Sequence, residues 1–363
     1  MRTRFAVVFL AVFLAVFLAL LLSGCDNPAP EQKGFAGMGA QAQAFTTVVP
    51  GRVFSFPADH GAHDGFRIEW WYVTANLKDA QGNDFGVQWT LFRSALNASP
   101  QQPGWANQTI WLGHAAVTSA SVHHAAERYA RGGVGQAGVR AAPFEAWIDD
   151  WRFVSQASDP LADLQLSARD KNFSYQLRLT SSRPLVLQGD KGFSQKSEQG
   201  QASYYYSQPF FQASGTLQID GQTYTVNGPA WLDREWSSQP LTANQTGWDW
   251  FSLHLDGGEH VMLYRMRQKE GAPYLTGTWI AADGQTETLH ANQIKLTPQD
   301  TAKVAGRSMP VRWSIGIPEK NLQITLDAIN PDAWMNLRIP YWEGPVRLSG
   351  NRGGQGYLEM TGY

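Results

Sequence analysis

The stretch FSLHLDGGEHVMLYR, from Phe251 to Arg265, decides how the rest of the chain is interpreted. Two segments in which apolar and polar residues tend to alternate flank the turn sequence Asp256-Gly257-Gly258. Glycine accepts the positive φ that a tight hairpin turn requires, and alternation with period two is typical of a strand that buries one face. The stretch therefore predicts an antiparallel β-hairpin.

Other parts of the chain follow the same pattern. Residues 216–226 repeat it around Asp220-Gly221, and residues 70–93 repeat it around a longer polar loop. Turn signals about every ten residues favour an antiparallel barrel or sandwich. Only residues 119–129 suggest a short amphipathic helix. We therefore predict an all-β protein.

Two segments also resemble each other, which suggests an internal repeat. Residues 69–77 and residues 247–255 each carry paired tryptophans at the start of a predicted hairpin. The match needs an offset of one residue. Together with a length of 363 residues, it predicts two similar β units joined between Gly228 and Asn244.

The N-terminus has the features of a bacterial lipoprotein signal peptide. Arg2 and Arg4 precede an apolar run from Phe5 to Leu22, and the run ends in Leu22-Ser23-Gly24-Cys25, which contains the only cysteine of the chain. We predict a signal peptide with a lipobox over residues 1–25 and lipidation of Cys25. An uncleaved membrane anchor and an ordinary buried cysteine are the alternatives.

The predicted lipid would hold the protein to a membrane in the cell envelope, facing the periplasm. Asp26 favours the inner membrane if the host is Gram-negative. Residues 26–47 are rich in small and polar residues and predict a flexible tether. Domains of residues 48–240 and 241–363 would follow.

Composition narrows the classes of partner. The chain has 29 basic and 31 acidic residues, so no basic excess points to nucleic acid. Its 15 tryptophans and 12 tyrosines suit strand packing and the lining of pockets for apolar ligands. No phosphate loop, dinucleotide fingerprint, serine-hydrolase elbow or zinc spacing is found, so we expect no cofactor and no metal.

Seven blocks of sequence carry a resemblance to a known family. They are EWWY at 69–72, HAA at 114–116, LQGDKGFS at 187–194, YYYS at 204–207, WLDREW at 231–236, GWDW at 247–250 and GYLEMTGY at 356–363. Their order resembles that of the AttH-like and carotenoid 1,2-hydratase superfamily, in particular its lipoprotein branch. The resemblance implies two lipocalin-like antiparallel β-barrel domains packed side by side. It also implies an ABC transporter permease as a partner.

The resemblance implies less about chemistry. Carotenoid hydratases add water across a C=C bond, and their polar residues come from segments matching 233–236 and 247–249. Arg234 stands where that pattern has a histidine, and arginine cannot act as a general acid because its pKa exceeds about 12. Gly247 stands where the pattern has an aromatic hydroxyl. Asp249 remains as the candidate general acid.

Two interpretations of the charged cluster remain open. Asp233, Arg234, Glu235 and Asp249 could form a polar pocket floor or a buried ion-pair network between two barrels. Glu69 could be a solvated charge or an anchor for a ligand headgroup. The candidate ligand-binding residues are Glu69, Trp70, Trp71, His114, Asp233, Arg234, Trp236, Trp248 and Trp250.

The sequence is compatible with three functions. The first is a membrane-tethered lipoprotein that binds or transfers a hydrophobic lipid or isoprenoid in tryptophan-lined barrel interiors. The second is a hydratase or lyase that uses Asp249 as the proton donor. The third is a structural envelope protein without a ligand, which would have barrel interiors filled by side chains.

Overall fold

A computed structural model describes residues 45–98, 101–239 and 241–363. The predicted signal peptide, Cys25 and most of the predicted tether lie outside these residues. In the described part of the chain, strands dominate and the only helices are short 3₁₀ turns, at Ala58–His60, Gly104–Ala106, Ala291–Gln293 and Pro318–Lys320.

The first half of the described chain forms one antiparallel sheet of 13 strands. Its order is β4-β3-β2-β1-β13-β12-β9-β8-β7-β6-β5, and β10 and β11 pair with β12. The strands are β1 (Ile68–Lys78), β2 (Asp84–Ala95), β3 (Thr109–Ser119), β4 (His123–Arg131), β5 (Ala137–Ala141), β6 (Phe144–Ile148), β7 (Trp151–Ser155), β8 (Asp163–Arg169), β9 (Phe173–Thr180), β10 (Val186–Leu187), β11 (Phe193–Gln195), β12 (Ala202–Ile219) and β13 (Gln222–Ser237).

The second half forms a sheet of ten strands and a separate hairpin, β19-β20. The order of the sheet is β17-β16-β15-β14-β25-β24-β22-β21-β18, and β23 pairs with β24. The strands are β14 (Gln245–Leu255), β15 (His260–Gln268), β16 (Tyr274–Ile280), β17 (Thr286–His290), β18 (Lys295–Pro298), β19 (Thr301–Val304), β20 (Arg307–Pro310), β21 (Arg312–Ile317), β22 (Leu322–Ala328), β23 (Trp334–Met335), β24 (Tyr341–Gly350) and β25 (Gly354–Met360).

Each sheet curls into a nearly closed barrel, so the prediction of an all-β fold with two lipocalin-like barrels is confirmed. In each barrel the first strand lies between the second and the last: β1 pairs with β2 and β13, and β14 pairs with β15 and β25. The three predicted hairpins are present as β1-β2, β12-β13 and β14-β15.

The helix suggested for residues 119–129 is wrong. His123–Arg131 is strand β4, which pairs with β3 from His123 to Arg131. Alanine and glutamate are good helix formers, but helix propensities differ by less than about 1 kcal/mol per residue, and pairing with a long neighbouring strand outweighs that preference.

Alternation along the strands sends one face of each sheet into its barrel and the other outward. In β1, Trp71 and Val73 belong to the core of the first barrel, whereas Tyr72 belongs to a separate cluster that contains residues of both sheets. In β14, Phe251 belongs to the core of the second barrel and Trp250 to the shared cluster. The two barrels therefore pack through the outer faces of their first strands.

The barrel interiors are filled by side chains. The first is packed with large residues such as Trp89 and Phe153, whose rings lie 5.8 Å apart, and the second with residues such as Phe251 and Trp313, at 5.3 Å. The expected tryptophan-lined hollows inside the barrels are therefore wrong for the described residues. Indole and phenyl groups occupy that space because alternating inward positions carry bulky residues.

Candidate functional site

An apolar cavity of about 300 Å³ lies between the outer faces of the two sheets. The first strands of both barrels contribute to it, β1 with Trp70 and Tyr72 and β14 with Trp248 and Trp250. Its other apolar lining residues are Ile68, Phe92, Ile110, Leu112, Tyr129, Ala202, Leu241, Tyr264, Met266, Ile339 and Tyr341.

Asp233 brings a carboxyl group to this cavity from β13. It is 2% exposed and accepts hydrogen bonds from Tyr205 Oη and Trp231 Nε1, both at 2.6 Å, and from Ser207 Oγ. Burial raises the pKa of Asp233 to about 7, although these donors oppose the rise. Within the described residues Asp233 forms no ion pair.

Glu359 approaches from the second barrel, on β25. Trp248 Nε1 donates a hydrogen bond to Glu359 Oε1 at 2.6 Å. Burial raises the pKa of Glu359 to about 7, and the charges of Asp233 and Glu235 add to the rise. A cavity that holds carboxyl groups with pKa values near neutrality can present them as proton donors.

Glu235, also on β13, lines the same side of the cavity and is paired with a cation. Lys196 Nζ lies 2.9 Å from Glu235 Oε1 and sits over the rings of Tyr205 and Tyr264, 4.8 and 4.5 Å from their centroids. Lys196 thus offsets the charge of one of the three carboxyl groups.

A second polar group lines the cavity at the junction of β3 and β24. His114 Nδ1 lies 2.9 Å from Tyr341 Oη, which joins the two barrels. Tyr341 and Tyr72 both hydrogen-bond to the carboxyl group of Glu343, which is 1% exposed. Burial raises the pKa of Glu343 well above its usual value, although the two tyrosine hydroxyls oppose the rise.

The structure divides the residues singled out from the sequence into two groups. Those that line the cavity are Glu69, Trp70, His114, Asp233, Trp248 and Trp250, and those that do not are Trp71, Arg234, Trp236 and Asp249. Trp71 and Trp236 are fully buried in the core of the first barrel.

Glu69 and Arg234 form an ion-pair network at the start of the first barrel. Arg234 pairs with Glu69, Arg93 Nη1 lies 2.9 Å from Glu69 Oε1, and the Arg234 guanidinium stacks 3.8 Å from the ring centroid of Trp71. Burial opposes ionisation, yet the two guanidiniums hold the pKa of Glu69 below its usual value. Glu69 is therefore not a solvated charge. Arg234 pairs with Glu69 and not with Asp233, Glu235 or Asp249, which differs from the predicted ion-pair network. The role of Glu69 as a ligand anchor stays a prediction.

Asp249 occupies the corresponding place in the second barrel. It is 0% exposed, pairs with Arg265 at 3.2 Å and with Arg267, and accepts a hydrogen bond from Tyr363 Oη at 2.9 Å. Burial raises the pKa of Asp249, and the two guanidiniums oppose that rise. Since Asp249 does not reach the cavity, this geometry gives no support to the role of general acid.

Sequence reasoning did not select Glu359, Tyr341 or Glu343 as site residues. Glu359 lies in a block that resembles the family, so it could have been considered. Tyr341 and Glu343 carry no signal of their own, because they reach the site only when the second barrel packs on the first.

No group of three or more histidine, cysteine or carboxylate side chains is arranged to hold a metal ion in residues 45–98, 101–239 and 241–363. No helix in that part of the chain is long and apolar enough to cross a membrane.

Comparison with known proteins agrees with the architecture. A crystal structure of a protein described as an AttH from Nitrosomonas europaea is 34% identical and covers 88% of this chain and 100% of its own, with a TM-score of 0.77. Kievitone hydratase from Nectria haematococca is 17% identical, covers 88% of this chain and 96% of its own, and has a TM-score of 0.65.

A structure of CghA with Sch210972 is 12% identical, covers 82% of this chain and 88% of its own, and has a TM-score of 0.53. At such identities these last two proteins share the fold. No curated protein gives a significant match. The AttH-like family model matches residues 47–363, and the chain therefore belongs to the AttH-like family.

Proposed function

We propose that this AttH-like protein binds a hydrophobic small molecule, such as a lipid or an isoprenoid, in the cavity between its two barrels. Lipidated Cys25 would hold it to the membrane, facing the periplasm. The observation that supports binding is the cavity itself, an apolar space lined by indole and phenol rings with a few polar groups. Ligand sites in proteins typically have this composition.

The size of the cavity limits the ligand. About 300 Å³ is near the lower end of the range of roughly 300–1,000 Å³ that is usual for small-molecule sites. Burial of apolar surface contributes about 25 cal/mol per Å² before the costs of association. A compact isoprenoid fragment or part of an acyl chain is small enough for this volume and apolar enough to gain from burial.

Binding can be tested with the neutral fluorophore N-phenyl-1-naphthylamine and a blocking substitution. Ile110 lies at the cavity and is 40% exposed, so Ile110→Trp should fill the entrance without disturbing the core. We expect fluorophore affinity to fall about tenfold or more, which corresponds to about 1.4 kcal/mol. Mass spectrometry of organic extracts should also detect less co-purified ligand.

Val134→Trp is the matched control, because Val134 is 38% exposed and does not line the cavity. It should bind like the wild type. Equal binding by the wild type and Ile110→Trp would reject the cavity as the site, and a wild type that neither binds the fluorophore nor carries ligand would reject the function.

A second candidate is a hydratase-type reaction with Asp233, rather than Asp249, as the proton donor. A buried carboxyl group with a pKa of about 7 favours it, and a protein with this fold is named kievitone hydratase. Asp233 would give its proton to one carbon of a C=C bond and water would add to the other. The proton lost from that water would return to the carboxylate, so atoms and charge balance.

The test is deuterium incorporation into farnesol in D₂O. The wild type should label carbon at a double bond, and Asp233→Asn should not, while Glu287→Gln at an exposed position should behave as the wild type. Unlabelled farnesol with the wild type, or equal labelling by Asp233→Asn, would reject this second candidate without affecting the binding proposal.

A further inference from the structure

We propose that His114 makes the cavity selective for apolar ligands that carry a hydroxyl group, by accepting a hydrogen bond from that hydroxyl at Nε2. The inference rests on the proposed function, since it assumes that the cavity binds an apolar molecule. It adds the chemical class of the ligand and the atom that recognises it.

The first observation is an unsatisfied polar atom. His114 lines the cavity and is 1% exposed, and its Nε2 has no hydrogen-bond partner among the residues that the structure describes. A buried polar atom without a partner costs about 1–3 kcal/mol. A ligand that forms a hydrogen bond with Nε2 recovers that free energy. A ligand that cannot form this bond leaves Nε2 unsatisfied.

The second observation fixes which hydrogen bond His114 can make. Its Nδ1 lies 2.9 Å from Tyr341 Oη, and Tyr341 in turn bonds to the carboxyl group of Glu343. The hydroxyls of Tyr341 and Tyr72 both lower the pKa of Glu343, as hydrogen-bond donors to a carboxyl group do, and Glu343 Oε2 has no partner among the described residues, so the proton of the neutral acid is assigned to Oε2. The single proton of the Tyr341 hydroxyl is therefore directed at Glu343. His114 Nδ1 must therefore be the donor to Tyr341, and Nε2 carries a free lone pair.

Packing holds the imidazole in this orientation. The ring of Phe92 meets it edge-on at 5.2 Å, and the ring of Tyr341 lies stacked against it at 5.6 Å. Burial lowers the pKa of His114 to about 3, so the lone pair is unprotonated at neutral pH. The acceptor is therefore fixed in position and present under physiological conditions.

These properties define the ligand. A hydroxyl group can donate to Nε2, whereas a ketone or an ether can only accept and would leave Nε2 unsatisfied. Sites built to hydrogen-bond one group discriminate against analogues that lack it, because the buried partner then remains unpaired. The class is therefore an alcohol on an apolar body, such as an isoprenoid alcohol.

The experiment compares decan-2-ol with decan-2-one, which share one carbon skeleton, as competitors for N-phenyl-1-naphthylamine bound to the full-length protein. We expect the alcohol to bind about tenfold more tightly than the ketone. In His114→Phe the two should bind equally. In Tyr341→Phe the imidazole can adopt either tautomer, so the alcohol preference should shrink while ketone affinity rises.

The wild-type comparison stands even if a variant fails to fold. A ketone that binds as tightly as the alcohol, or an alcohol preference that persists in His114→Phe, would overturn the role of His114 and leave ligand binding intact. If the fluorophore and both competitors fail to bind the wild type, the proposed function falls, and this inference with it.

Discussion

At the scale of single residues, the protein contains two kinds of buried carboxyl group. Glu69 and Asp249 each pair with two arginines at the start of a barrel. Asp233 and Glu359 line the cavity and form no ion pair within the described part of the chain. The arginines favour the charged form of the paired carboxylates, whereas burial without an ion pair brings the pKa of Asp233 and of Glu359 to about 7.

Glu359→Gln should change how stability depends on pH. The pKa of Glu359 is about 7 in the folded protein and about 4.5 in the unfolded chain, so between these values the folded state holds a proton that the unfolded state releases. Stability contributed by this group is full below about pH 4.5 and falls as pH rises to about 7, by up to about 1.4 kcal/mol per unit.

The variant should therefore lose less stability than the wild type between about pH 5 and about pH 8, since Asp233 still titrates in both. Urea unfolding at the two pH values measures the difference. Glutamine can still accept the hydrogen bond from Trp248. Parallel curves for the wild type and the variant would show that Glu359 ionises with an ordinary pKa.

Only some of the residues predicted from the sequence line the cavity. The reason is that successive side chains of a strand alternate between its two faces. Along β13, Asp233 and Glu235 face the cavity while Arg234 and Trp236 face the barrel core. The candidate residues were taken from the whole block at 231–236, because that block resembles the family. Neighbours in a strand point to opposite faces, and the sequence alone did not show which face meets the second barrel.

At the scale of strands, the hairpins were predictable because turn glycines and alternation are local signals. The filled barrels and the inter-barrel cavity were not, because they depend on contacts between distant segments. Tyr341 meets His114 from 227 residues away along the chain. Local sequence patterns predict strands and turns, but they do not show which outer faces of the two sheets pack together.

Gly86 on β2 allows one such approach. A Cβ at this position would lie 2.6 Å from Pro345 Cγ and 2.7 Å from Tyr357 Oη, both on the second barrel. Gly86→Val should therefore push the barrels apart, with a loss of about 1–3 kcal/mol in the free energy of unfolding and weaker fluorophore binding.

Gly316→Val is the control, since its Cβ would meet chiefly the flexible end of Gln323, with the nearest atom at 2.9 Å. Thermal unfolding and fluorophore titration of both variants provide the measurements. If Gly86→Val matched the control in both, close contact of the barrels at this point would not matter for the site.

At the scale of the whole molecule, the cavity of the proposed function lies where the two barrels meet. Tyr72 and Trp250, whose rings lie 5.1 Å apart, belong to different barrels and pack edge to face within the shared cluster. Neither barrel by itself supplies both sides of the cavity. The two-barrel arrangement is therefore what creates the proposed function.

The predicted membrane tether also belongs to the scale of the whole molecule. Cells grown with radiolabelled palmitate should yield labelled wild-type protein and unlabelled Cys25→Ser protein, because the cysteine thiol would carry the lipid. Immunoprecipitation and autoradiography measure the label. Unlabelled wild-type protein would remove the lipoprotein assignment without changing the account of the cavity.

The most direct test of the central claim is a crystal structure of the protein with N-phenyl-1-naphthylamine bound. We predict ligand density between the two sheets, in contact with Trp250 and His114, while the barrel interiors remain filled by side chains. Ligand density inside either barrel, or a site elsewhere on the surface with the cavity between the barrels empty, would contradict the account.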